Sequence, residues 1–132
     1  MSSTSAHAPF QTEIEFELPK GYLDESGTLH RRGTMRLATA ADEILPLRDP
    51  RVQQNEAYIS IIVLARVIAK LGSLPDVHTG VIEGLYASDL AYLQRLYERF
   101  NAVDDAEREI ASEKPGTNGS KPLRRFATVG EA

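Results

Sequence analysis

The chain has 132 residues, 15 Lys+Arg against 19 Asp+Glu, a formal net charge of −4 and no Cys. That length is one domain's worth. The acidic balance argues against a nucleic-acid coat or a binder of anionic membranes, and the missing Cys excludes disulfides, thiol catalysis and Cys-ligated metal sites.

Residues 1–11 are small, polar and aperiodic, and they lack the basic start and apolar stretch of a signal peptide. They are expected to form a disordered lead, with the cytoplasm as the expected compartment. Residues 12–112 read as a single α+β domain and 113–132 as a disordered tail rich in Pro and Gly. The tail carries Lys114, Lys121, Arg124 and Arg125 against Glu113 and Glu131, so the domain itself is more acidic than the whole chain.

The first element alternates strictly, with Ile14, Phe16 and Leu18 on one face and Glu13, Glu15 and Glu17 on the other. This is the pattern of a half-buried strand. A second strand runs through residues 28–37, with Leu29, Gly33, Met35 and Leu37 on one face. Asp24 and Gly27 suit the ends of a type I turn between them. Centring the hairpin there pairs Phe16 with Met35, Ile14 with Leu37 and Glu15 with Arg36. Pro19 and Gly21 interrupt the first strand and predict an edge or a bulge. Ile14, Phe16, Leu18, Met35 and Leu37 are the residues expected to dock the hairpin on the helices, because an isolated two-stranded hairpin is marginal in water.

About four helices are expected after the hairpin. Thr39 can cap one over residues 40–47, which Pro46 shortens or kinks. Residues 48–51 read as a connector. A longer helix is expected from Gln53 or Asn55 to Leu71, closed by Gly72. Thr79 can cap a short helix over 80–86 with Val81, Ile82 and Leu85 inward. Ser88 can cap the last one, whose stripe is Leu90, Leu93, Leu96, Tyr97 and Phe100. This last helix is expected to continue past Asn101 into the charged residues 104–112.

Little in the chain points to catalysis. His7, His30 and His78 have no carboxylate or His partner at metal-binding helical spacing, so neither a metal nor a cofactor is expected. The acid pairs Asp42-Glu43, Asp104-Asp105 and Glu107/Glu109 read as solvated surface. The basic group His30, Arg31, Arg32, Arg36, Arg48 and Arg51 reads either as charge balance for the hairpin glutamates or as an anion contact. No nucleophile elbow or phosphate loop is present, and the chain does not read as an enzyme.

The helix expected over 55–71 stands out because its polar stripe is thin: Glu56, Ser60, Arg66 and Lys70. Beyond the face a surface helix normally buries, Ile59, Ile62, Val63 and Val67 remain. Either this helix is the centre of the domain, or those four residues are left for a partner or a second copy of the chain.

The segments FELPKGYLD (16–24), GTLHRRGTMRLATAADEI (27–44), RDPR (48–51), LARVI (64–68), LG (71–72) and VIEGL (81–85), followed by Asp89-Leu90 and Leu93-Gln94, together resemble the small tail assembly proteins, or tail assembly chaperones, of phages and phage-like contractile injection systems. The similarity covers about residues 14–101 and rests on order and spacing. It implies a non-enzymatic helper that binds tail tube or tape-measure proteins during assembly and needs neither nucleic acid nor membrane. The competing expectation is a structural component retained in the finished tail or baseplate.

Overall fold

A computed structural model describes residues 10–103. The expected lead up to Pro9, the helical continuation over 104–112 and the tail lie outside the described residues.

The fold is α+β. Strands β1 (Glu13–Leu23), β2 (Leu29–Arg36) and β3 (Ile68–Leu71) form one antiparallel sheet in the order β1-β2-β3. Between β2 and β3 the chain passes through α1 (Ala40–Ile44), a 3-10 turn (Leu45–Arg48), α2 (Pro50–Gln54), a second 3-10 turn (Glu56–Tyr58) and α3 (Ile59–Val67). It ends with α4 (Thr79–Glu83) and α5 (Ala87–Phe100). The core gathers Phe16, Leu18 and Met35 from the hairpin, Ile62, Val63, Leu64 and Val67 from α3, Ile68 and Leu71 from β3, and residues of α4 and α5. No helix among the described residues is long and apolar enough to cross a membrane.

The hairpin turn forms where expected. The Gly27 amide donates to the Asp24 carbonyl at 3.0 Å, and the Asp24 carboxylate takes the Ser26 and Thr28 amides at 2.8 and 3.0 Å. The pairing register differs from the sequence expectation. Ile14 faces Met35, Phe16 faces Gly33 and Glu13 faces Arg36. The cause is a bulge: residues 18–21 of β1 lie opposite Arg31 alone, between the pairs Glu17–Arg32 and Tyr22–His30. Before the bulge the displacement from the expected pairing is two residues, so Ile14, Phe16 and Met35 keep their face. Beyond it the displacement is one, and His30 is buried where Leu29 was expected, leaving Leu29 exposed. Phe16, Leu18 and Met35 are buried, while Ile14 and Leu37 are half-buried.

The bulge is clamped from both sides. The Asp89 carboxylate, fully buried in the first turn of α5, accepts from the Lys20 and Gly21 amides at 2.9 and 2.8 Å. From β2, the Arg31 guanidinium donates to the Leu18 and Pro19 carbonyls at 3.0 and 3.2 Å. One helical turn beyond Asp89, the Tyr92 hydroxyl receives the Glu17 amide at 3.4 Å. Asp89 and Tyr92 thus occupy the Glu17, Lys20 and Gly21 amides of the edge strand β1, groups that would otherwise be open to another strand.

The helical expectations need four corrections. The segment expected as one helix to Leu71 is α3 followed by β3. Ile68 and Leu71 still reach the core, but as strand residues. β3 can approach because Gly33 has no side chain: a Cβ there would collide with the Lys70 carbonyl and the Phe16 ring. The Arg36 guanidinium takes the Arg66 carbonyl at 2.9 Å, satisfying an acceptor that the end of a helix leaves open. Second, α2 begins at Pro50, inside the expected connector, and runs beyond it to Gln54; its cap is Asp49, whose carboxylate accepts from the Arg51 amide. Third, α4 is capped by the His78 ring rather than Thr79. Fourth, α5 starts at Ala87 with Ser88 already inside it, and it ends at Phe100 with Asn101 as its C-cap, short of the expected run past Asn101.

Candidate interaction surface

The four residues expected to be left for a partner are not surface residues. Ile59, Ile62, Val63 and Val67 are all buried, the last two completely. In α3 the apolar girth serves the centre of the fold: the helix packs against α1, α4 and α5 and leads into the sheet. Apolar surface is exposed instead on α1 and the turn after it. Ile44 is 56% exposed, Leu45 42% and Leu47 53%.

This segment is turned inside out. Its buried residues are Asp42, 2% exposed, and Pro46. Its glutamate, Glu43, is half-buried and accepts a hydrogen bond from the Tyr97 hydroxyl of α5. The arrangement follows from the partners of Asp42. Thr39 and Asp42 form a capping box: the Thr39 amide donates to Asp42 Oδ2 at 2.8 Å, and the Asp42 amide donates back to Thr39 Oγ1. Arg36 of β2 grips the same carboxylate with both terminal nitrogens at 2.7 and 3.0 Å, and Arg66 of α3 adds its Nε at 3.0 Å. The acidic side of α1 is therefore held against the body of the protein. Ile44, about 200° round the helix from Asp42, turns outward, and Leu45 and Leu47 are exposed in the 3-10 turn that follows.

The electrostatics agree. The Arg36 guanidinium is the main reason the Asp42 carboxyl lies well below the usual carboxylate range. Burial opposes this, and Thr39 and Arg66 assist it. Burial and the neighbouring Glu43 push the Tyr97 hydroxyl far up, so it stays protonated and donates. A carboxylate with this many donors makes a rigid mount for the exposed Ile44, Leu45 and Leu47.

Asp42 was expected to be solvated, and the structure corrects that reading. The spacing of Thr39 and Asp42, directly before a run of apolar residues, is the sequence signal that bears on it. The structure also separates the basic group. Arg31 holds the bulge, Arg36 holds Asp42, and Arg51 pairs with Asp49 at 2.9 Å and lies over the Tyr58 ring. Among the described residues no three His, Asp or Glu side chains gather where they could hold a metal ion.

Set against known proteins, the chain matches no family model, no curated protein and no solved structure.

Proposed function

We propose that the chain is a non-enzymatic assembly helper of a phage-like tail, acting in the cytoplasm and holding a tail tube or tape-measure protein before assembly. The observation that carries the reading is the inverted α1 segment, in which acids are pinned inward and Ile44, Leu45 and Leu47 are held outward. Leu23, Leu29 and Tyr86 are exposed as well, but the α1 segment joins three exposed apolar residues to acids held inward, and such a local reversal of apolar-in, polar-out order is where a functional surface is expected. The sequence resemblance supplies the class of partner: apolar helical segments of tail proteins, which need cover until they assemble.

The test is co-expression of the full chain with the neighbouring tail tube or tape-measure protein. Co-purification and a gain in that protein's solubility support the proposal, and both are lost with the double variant Leu45→Asp/Leu47→Asp. Neither effect with the unaltered chain overturns it. Mass spectrometry of purified particles separates a helper, absent or substoichiometric, from a retained structural component.

A further inference from the structure

We infer that His30 is a proton-operated latch between the β1–β2 turn and the segment leaving β3. The ring is 3% exposed, and its two nitrogens face groups of fixed character. Nδ1 lies 3.2 Å from the Ser73 backbone nitrogen, which can only donate, so Nδ1 holds a lone pair. Nε2 lies 2.8 Å from Asp24 Oδ2, so Nε2 carries the proton and donates to the carboxylate. Of the three states open to an imidazole, this site selects the neutral Nε2–H tautomer.

The backbone is built around that ring. Gly72 takes φ +57°, and a Cβ there would collide with His30. Its amide donates to the Arg32 carbonyl at 2.7 Å, which seats the end of β3 beside the ring. The groups set against His30 are the Asp24 carboxylate from the turn, the Tyr22 ring from β1 with centroids 6.4 Å apart, and the Gly72–Ser73 backbone after β3. The Asp24 carboxyl is held well below its usual range, His30 being the main cause and Ser26 and Thr28 adding to it, so it stays an acceptor in mild acid.

A second proton on the ring therefore acts on one side only. Nε2–H keeps its carboxylate. Nδ1 becomes a donor facing the Ser73 N–H, and that contact breaks. Acid releases the exit of β3 while the hairpin turn stays tied.

The test is long-range 1H–15N correlation on the imidazoles of the full chain, with His78→Asn to assign the signals, and amide exchange at Ser73 corrected for the intrinsic pH dependence. At neutral pH, Nδ1 of His30 reads as unprotonated and Nε2 as protonated. As the ring takes its second proton, Ser73 protection falls about fivefold, the factor one net hydrogen bond is worth, while Ser26 and Thr28 keep theirs. In His30→Gln the pH-linked step at Ser73 disappears. A proton on Nδ1 at neutral pH, or Ser73 protection that ignores ring protonation, overturns the inference even if the variant fails to fold.

Discussion

Helices α3 and α1 lie in contact and treat their apolar residues in opposite ways. α3 is apolar on nearly every side and is enclosed. Its one charged residue, Arg66, reaches out to Asp42. α1 carries two adjacent acids, and those acids are the side held inward while Ile44 at its end is exposed. Hydrophobicity alone would assign the free surface to the wrong helix. What decides it is where strong polar partners stand. Arg36, Arg66, Thr39 and Tyr97 together satisfy the acids of α1 better than water does, and no comparable polar group competes for the sides of α3.

The sharpest way to break this contrast is to place a charge on α3. Val67 is fully buried against the sheet. In Val67→Asp a carboxylate would sit in the core without a partner, and a loss of about 4 kcal/mol or more is expected. Chemical denaturation followed by circular dichroism reads it. A folded variant with near-normal stability would mean that α3 is not the centre of the domain.

Removing the pin on α1 comes next. Asp42→Ala deletes a nearly buried carboxylate and strands two guanidiniums that are 37% and 36% exposed. Because water reaches both, the expected cost is about 2–3 kcal/mol, below or at the low end of the range for breaking a buried pair. The urea midpoint measures it. A change under about 0.5 kcal/mol, the level of an ordinary surface substitution, would show that α1 is held by something else.

The same pin predicts an acid effect. The folded-state carboxyl of Asp42 titrates below its ordinary value of 3.8. Its contribution is therefore full above that value and is lost as pH falls through it towards the folded-state value. The stability gap between the native chain and Asp42→Asn should be widest near neutral pH and shrink below about pH 4. A gap that stays constant from neutral pH to pH 3 would remove Asp42 as its source. Taking the difference from Asp42→Asn also cancels the acid dependence that Asp24 and Asp49 share with both proteins.

How far the sequence alone reaches depends on the range of the forces. The turn at Asp24 and Gly27, the bulge at Pro19 and Gly21, the Thr39 cap, the break at Pro46 and the stripe of α5 are set by neighbouring residues, and all are legible. β3 is not. Ile68 and Leu71 satisfy a helical stripe and a bulged strand equally, and what decides between them is distant in sequence: the gap at Gly33 and the Arg36 bond to the Arg66 carbonyl. Asp89 is the same kind of case. A carboxylate in the first turn of a helix implies only attraction to the positive helix end, whereas the partners of Asp89 are the amides of Lys20 and Gly21, far away in sequence. The candidate surface was misplaced for this reason too, because α1 faces outward only after Arg36 and Arg66 have claimed Asp42.

The smallest expected effect on stability is the most informative about function. Leu45 is 42% exposed and lies between the exposed Ile44 and Leu47 in the chain that follows the pinned acids. Leu45→Asp removes partly exposed apolar surface and adds a solvated charge, so stability should change by no more than about 0.5 kcal/mol. If the proposed partner sits on this surface, its capture should nevertheless fall, because a carboxylate placed in an apolar contact must be desolvated on binding. The contrast with Val67→Asp is then complete: the same chemical change unfolds the chain on α3 and leaves it folded but unable to bind on α1. If Leu45→Asp destabilises as severely as Val67→Asp, the segment belongs to the core of the chain itself. If it is neutral in both measurements, the inverted face is not where the partner sits.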